Sequence, residues 1–299
     1  MQFRSGFVAV VGRPNVGKST LVNALVGQKV SIVSPKAQTT RTNVLGVLNN
    51  PNFQIVFIDT PGMHDNTTVL DKYMQKSIDT ATKDIDAMLY VLDGSKDFAQ
   101  SDIDALTRYC KEPYKVIAVV NKVDKGSYET IYPRLQVLNN IHGLHSVYGV
   151  SALKKKNLDG LVKELVPLLS DTIKYYPDDE YIDKPRSFVL AEIIREKMLW
   201  LLDDEIPHGV AVVVDNLDTQ SNTAKVGAVI YCEKESHKAI IIGKKGEMIK
   251  KLGTQSRESM EKFLNKPTFL DLQVKVEPNW RNKIDVMSSL GYNEKQFDE

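Results

Sequence analysis

Residues Gly12-Arg13-Pro14-Asn15-Val16-Gly17-Lys18-Ser19 have the types and spacing needed to hold a polyphosphate. In this G-x-x-x-x-G-K-[ST] pattern the glycines let successive backbone N–H groups wrap around phosphate oxygens at the positive end of a helix. Lys18 adds a cation, Ser19 can place its hydroxyl on Mg²⁺, and Thr20 extends the candidate contact surface. Three further motifs come later in the chain. Asp59-Thr60-Pro61-Gly62 offers an acid that can hold Mg²⁺ through water, and a glycine whose N–H can reach a terminal phosphate with no side chain in the way. In Asn121-Lys122-Val123-Asp124 a carboxylate can accept two hydrogen bonds, from N1–H and from the exocyclic amine of guanine. Adenine has no such pair of donors on that edge, so Asp124 argues for GTP over ATP. Ser151-Ala152-Leu153 adds a small residue where a backbone N–H can approach the base carbonyl.

These motifs need a frame that brings them together. An apolar run over 7–11 feeds the phosphate loop, which opens a helix with Leu21, Ala24 and Leu25 at helical spacing and Gly27 as its stop. Residues 29–43 are polar and aperiodic and read as a long loop, a length that in compact domains usually serves function. Residues 44–48 and 53–59 read as strands of an antiparallel hairpin joined by Asn49-Asn50-Pro51-Asn52. Helical patterns over 70–82, 101–110 and 158–169 then alternate with apolar strands over 87–92, 115–120 and 147–150. Such alternation predicts an α/β domain, a mostly parallel sheet with helices on both faces, whose ligands collect at the carboxyl ends of the strands. All the motifs sit at such ends.

The stretch 173–185 (IKYYPDDEYIDKP) is acidic, holds two prolines and lacks a period, which reads as a linker. This places a nucleotide domain at 1–172 and a second, smaller α+β domain at 186–299. The second domain begins with a helix whose apolar face is Leu190, Ile193, Ile194, Met198 and Leu201. Strands over 210–215 and 225–232, a short helix over 238–242, a longer one to about 264 and a strand over 269–276 follow, in the order αββααβ. Gly243-Lys244-Lys245-Gly246 joins the two helices. Between His237 and Lys251 there are five lysines, Lys250 and Lys251 among them, and one glutamate. The charge is concentrated where a phosphate backbone would be gripped. Residues 281–299 read as an amphipathic helix and a polar tail.

Composition limits the alternatives. The 299 residues carry a net charge of +1, so any nucleic-acid surface must be a local patch. The two cysteines, Cys110 and Cys232, fit neither a disulfide framework nor a zinc site. No run is apolar enough to span a bilayer and the N-terminus enters a strand without a signal stretch, which predicts a soluble protein of the reducing cytosol.

The succession GRPNVGKS, QTT, DTPG, NKVD, SAL over residues 1 to about 170 resembles the translation-factor-like GTPases. The details GRPNVGKST, KAQTTR and IDTPGMH resemble the Era family in particular, and the GKKG-bearing segment resembles a type II KH domain, whose G-x-x-G loop clamps about four nucleotides of single-stranded RNA. The resemblance implies a Mg²⁺-dependent GTPase that cycles between GTP and GDP. It implies binding to small-subunit (16S) ribosomal RNA near its 3′ end and a role in assembling the 30S subunit, with another RNA or a cell-cycle process as the alternative. Implied partners include neither DNA nor an integral membrane. The implied protein is a cytoplasmic monomer with allowance for a peripheral fraction at the inner face of the cell membrane. It also implies Thr40 as the switch threonine that reaches Mg²⁺ beside Ser19 and Asp59, with Thr39 as second choice, and Lys18, Thr40 and Gly62 as the groups at the reacting phosphate. Met63 stands where a water-orienting glutamine would be expected, and a thioether cannot place the attacking water. Asn15 either binds K⁺ beside the phosphates, as in related GTPases with a P-N-x-G-K loop, or shapes the turn. A small-molecule kinase is disfavoured by Asp124. An RNA-binding module with a degenerate nucleotide domain is disfavoured by the intact motifs, and a KH-like relative without the grip by Lys244 and Lys245. Since every nucleotide motif ends by Leu153, residues 1–175 are expected to carry hydrolysis by themselves.

Overall fold

The computed structural model describes residues 2–63, 67–203 and 205–292. The chain forms two compact units: Met1–Val33, Thr40–Asp65 and Met74–Asp183 make the first, and Ser34–Thr39, Asn66–Tyr73 and Lys184–Glu299 the second.

In the first unit, strands β1 (Arg4–Val11), β2 (Val44–Asn50), β3 (Phe53–Asp59), β4 (Ala87–Asp93), β5 (Lys115–Asn121) and β6 (Ser146–Gly149) form one sheet in the order β2-β3-β1-β4-β5-β6. Only β2 runs antiparallel, paired with β3 from Val44↔Asp59 to Asn50↔Phe53 across a tight turn. The order reverses at β1, and the ends of β1, β3, β4 and β5 share one edge. Strand periodicity divides the core into two layers. Val8, Val10, Ile55, Phe57, Leu89, Val91, Ile117 and Val119 face one way, against helices α1 (Lys18–Val26) and α5 (Leu158–Leu165). Ala9, Val11, Met88, Tyr90, Ala118 and Val120 face the other way, against α2 (Val69–Ala81), α3 (Gln100–Tyr109) and α4 (Tyr128–Asn139). Sequence periodicity missed α4, whose buried residues are Ile131 and Leu138. The helix expected over 158–169 closes as a 3₁₀ turn at Val166–Leu168, where Pro167 removes a donor.

The acidic stretch read as a linker lies along the first unit as far as Asp183. Gln54, fully buried, donates from Nε2 to Tyr176 O at 2.8 Å and accepts from the Tyr175 and Tyr176 amides at 2.8 and 3.1 Å. Asn49 Nδ2 donates to Asp178 O and Glu180 O at 3.1 and 2.9 Å. Tyr181 and Ile182 pack on the first core layer. Proline and acidic residues remove a local period, but the partners that order this strap lie more than a hundred residues earlier in the chain.

In the second unit, α6 (Arg186–Leu201) leads into β7 (Val210–Asp218) and β8 (Ala224–Cys232), then α7 (Glu235–Ile242), α8 (Glu247–Leu264) and β9 (Thr268–Val276). The sheet order is β7-β8-β9, with β7 antiparallel and β9 parallel to β8. This is the αββααβ order expected from the pattern. The terminal helix is shorter than the pattern suggests. A 3₁₀ turn at Trp280–Asn282 buries Trp280, whose Nε1 donates to Gly209 O at 2.9 Å, and α9 covers only Ile284–Ser289. The expected polar tail from residue 293 lies outside the described residues.

Candidate GTP site and nucleic-acid interface

At the end of β1 the backbone turns through Gly12 (φ 151°), Asn15 (φ 65°) and Gly17 (φ 97°) before α1 starts at Lys18. Two of these turns leave no room for a side chain. A Cβ on Gly12 would sit 2.4 Å from Val91 O, and one on Gly17 2.4 Å from Asn121 Nδ2. No side chain caps α1, so its first N–H groups face the loop and are available to an anion. Lys18 is 7 % exposed, and burial pushes its pKa down to about 8 against the pull of Asp59. Its Nζ donates to Gly12 O at 2.9 Å and Arg13 O at 3.0 Å, across the loop it would bridge to phosphate. Val16 is a core residue, and Thr20 is the third residue of α1. The Arg13 side chain turns toward α3, with Nη1 3.9 Å from Asp102 Oδ2.

The metal candidates converge. Ser19 Oγ and Thr40 Oγ1 are 2.9 Å apart, and Thr40 Oγ1 donates to Asp59 Oδ2 at 3.3 Å. Thr39 is turned away, its Oγ1 bonded to Ser34 Oγ at 2.8 Å and Lys36 O at 2.6 Å. Asp59 is fully buried, and its Oδ1 has no hydrogen-bond partner among the described residues. Burial pushes the carboxyl above the usual carboxylate range, while bonds from neighbouring hydroxyls and the Lys18 charge oppose the shift. Two hydroxyls and a carboxylate with an orphaned oxygen fit a hard divalent cation that takes oxygen ligands, and Mg²⁺ suits a site beside phosphates. Gly62 packs against Pro14, where a Cβ would come within 2.9 Å of Pro14 Cα. Met63 packs on the second core layer, with its sulfur 3.9 Å from the Tyr109 hydroxyl, so it turns no polar group toward the phosphates.

The residues of the NKVD motif divide between bracing the loops and standing open to solvent. Asn121 is buried and braces the site, donating to Val16 O at 3.0 Å and accepting from the Ala152 amide at 3.0 Å. Lys122 braces it too, with Nζ on Asn15 O at 2.6 Å and on Asp93 Oδ2 at 2.7 Å. Sequence reasoning did not select Asp93. Its signal was available, an acid ending the β-run over 87–93 and followed by Gly94. Burial opposes ionisation of Asp93, yet the Lys122 and Ser95 hydrogen bonds hold its carboxyl below the usual range. Asp124 is exposed. Ser151 Oγ donates to its Oδ1 at 2.5 Å, and that bond lowers its pKa most. The Leu153 side chain is 70 % exposed.

In the second unit Gly243 (φ 75°), Lys245 (φ 52°) and Gly246 (φ 78°) form a one-turn 3₁₀ bend between α7 and α8. Ile241 is buried and anchors it. Lys244, Lys245, Lys250 and Lys251 are all solvent-accessible, and none pairs with a carboxylate among the described residues. Helix α8 has no side-chain cap, so its first N–H groups point into the bend. A backbone that can be approached closely, flanked by unpaired cations, is suited to a phosphodiester chain.

The comparisons with known proteins agree with this geometry. Residues 7–122 match the family described as 50S ribosome-binding GTPase, and residues 205–281 match the KH domain. The chain is 43% identical over 290 residues to GTPase Era of Clostridium kluyveri, covering 97% of this chain and 99% of that protein. The chain belongs to the Era GTPase family. Hydrolysis of GTP is accordingly the reaction of the first unit. Among solved structures, Era in complex with MgGDPNP and nucleotides 1506-1542 of 16S ribosomal RNA superposes with a TM-score of 0.93 at 38% identity, covering 97% of this chain and 99% of that one. A point variant of Aquifex aeolicus Era bound to GDP.AlF4- gives the same TM-score and identity, covering 97% of this chain and all of that one.

Proposed function

We propose that this GTPase binds small-subunit ribosomal RNA near its 3′ end through the Gly243–Gly246 bend and assists assembly of the 30S subunit, with GTP and Mg²⁺ held in the first unit. The observation that carries the reading is one chain combining an oxygen cluster of Ser19, Thr40 and Asp59 with an accessible bend of unpaired lysines. The 16S fragment in the related Era complex supplies the RNA class. In this reading Ser19, Thr40 and Asp59 hold Mg²⁺, which neutralises charge on the phosphates; Lys18 and the N–H groups of residues 15–20 and 62 cradle those phosphates; and Asp124 reads guanine. Asn15 either holds K⁺ beside the phosphates or, at φ 65°, shapes the turn. The protein works in the cytoplasm, with a peripheral fraction at the membrane; no described helix is long and apolar enough to cross one.

The test is equilibrium binding of a single-stranded RNA matching the 3′ end of 16S ribosomal RNA, against a scrambled RNA of equal length, with the protein loaded with a non-hydrolysable GTP analogue. At least tenfold preference is expected. Equal affinity for the two would remove the ribosomal assignment and leave a general RNA-binding switch. For Asn15, turnover should be faster in K⁺ than in Na⁺ at one ionic strength, and Asn15→Ala should abolish the difference.

A further inference from the structure

Asp59 Oδ1 is not the only orphaned oxygen in the core of the first unit. The hydroxyl of Ser31, a residue 5 % exposed, also has no hydrogen-bond partner among the described residues. A native fold leaves few buried polar groups unpaired, because each gives up its hydration without return, so the pair calls for a reason. The two groups are neighbours: the Ser31 hydroxyl stands with those of Ser19 and Thr40 among the groups that act on the Asp59 carboxyl. Ser19, Asn23, Ser31, Thr40 and Asp59 all belong to the first unit.

The position of Ser31 is built. Helix α1 closes at Gly27, and the residues on either side of Ser31, Val30 and Ile32, are buried. Asn23 clamps Ser31 through the backbone, with Oδ1 accepting from the Val30 and Ser31 amides at 2.9 Å each and Nδ2 donating to Ser31 O at 2.8 Å. A side-chain amide suits this task because it accepts and donates at once. Asn23 follows Ser19 by four residues, so both lie on one face of α1. That face supplies the Ser19 hydroxyl to the oxygen cluster and fixes Ser31 beside it. With its N–H and carbonyl both held, Ser31 can redirect its hydroxyl only by changing rotamer.

We propose that Ser31, clamped by Asn23, is a positioning residue of the Mg²⁺ site: in the metal-loaded protein its hydroxyl donates to the Asp59 oxygen that Thr40 leaves free, and so holds the carboxylate in the orientation that meets the cation. The inference rests on the assignment of Ser19, Thr40 and Asp59 to the metal. It extends that assignment to a serine inside the aperiodic stretch 29–43, where no motif marks it.

The experiment uses the full chain. It measures GTP turnover against Mg²⁺ concentration and, as a readout independent of turnover, the stabilisation of the GDP-loaded protein by Mg²⁺ in thermal unfolding. Ser31→Ala should raise the Mg²⁺ concentration for half-maximal effect about tenfold in both measurements. In EDTA its GDP affinity should stay within about twofold and its melting temperature should not fall, because the hydroxyl bonds nothing there. Ser31→Thr, which keeps a hydroxyl, should need less Mg²⁺ than its isostere Ser31→Val. Asn23→Ala should raise the Mg²⁺ requirement as well and, unlike Ser31→Ala, should lower stability in EDTA, because it frees three backbone groups. If Ser19→Ala raises the Mg²⁺ requirement while Ser31→Ala leaves it unchanged, or if the Thr and Val variants behave alike, Ser31 is a packing residue and the metal assignment stands without it. If Ser19→Ala also leaves the requirement unchanged, the metal assignment falls and takes this inference with it.

Discussion

A Cβ added at Gly17 would sit 2.4 Å from the Asn121 amide, whereas one added at Gly246 would meet nothing within 4 Å. Both residues have positive φ, at 97° and 78°, and both lead into a helix with no side-chain cap. The nucleotide loop is enclosed by its own protein: Asn121, Lys122 and Val91 press on it, and its lysine is buried. At the GKKG bend the backbone is equally turned, and Gly243 is packed against Met248, but the space beside Gly246 is open and the lysines are accessible. One loop is pre-organised for a single small anion with fixed geometry. The other presents a grip to a polymer whose shape varies. Mutations in the first should therefore disturb the fold and the chemistry together, and mutations at Gly246 and the lysines of the second should remove binding with a smaller effect on stability.

The largest effect is expected at the reading carboxylate. Asp124→Asn presents a donor where two donors arrive, and losing paired hydrogen bonds costs about 2 to 4 kcal/mol, or about 30-fold to 1000-fold in GTP affinity, with xanthine nucleotides gaining. Competition binding of GTP, XTP and ATP checks this, and equal ATP and GTP affinity in the unaltered protein would end the guanine assignment.

Burial of the phosphate-loop lysine should be visible as pH-dependent stability. Lys18 titrates at about 8 in the fold, against an ordinary value of 10.5. Between these values the unfolded chain binds more protons than the folded one, so the stability of the nucleotide-free protein rises with pH across that window, by about 3 kcal/mol at most. Lys18→Met should flatten that part of the profile in denaturant unfolding followed from about pH 7.5 to about pH 10. A slope unchanged by the substitution would contradict an enclosed loop.

Gly246→Asp places a negative side chain in the open space and should weaken single-stranded RNA binding by about 30-fold or more. A side chain at φ 78° is strained even in open space, so the melting temperature should fall by a few degrees while GTP turnover persists, in contrast to Gly17→Asp, which adds a steric clash to the same strain and should lose both nucleotide and stability. A strongly destabilised Gly246→Asp protein would break the comparison. The smallest changes are expected for Lys244→Ala and Lys245→Ala, each reducing the log–log salt slope of RNA binding by about 0.7 for every phosphate the side chain neutralises, across many RNA sequences. A slope that does not change would place the RNA elsewhere.

The sequence alone determined the backbone turns at Gly12, Gly17, Gly243 and Gly246, the strand-end placement of Asp59 and Asn121, the alternation that stacks the first sheet, and the αββααβ order of the second unit. These are local properties, because glycine's freedom and the periods of strands and helices act within a few residues. The tertiary structure alone decided which groups meet. Asn121 became a brace, and Asp124, held by Ser151, stayed exposed. Lys122 found Asp93, Thr40 rather than Thr39 reached Ser19 and Asp59, Gln54 ordered a stretch that reads as a linker, and Arg195 met the Thr39 carbonyl. The nearest of these partners in sequence, Thr40 and Asp59, are 19 positions apart, and the farthest, Thr39 and Arg195, are 156 apart. No local preference encodes such distances; packing fixes them, since a buried polar group must find whichever partner the fold brings within reach.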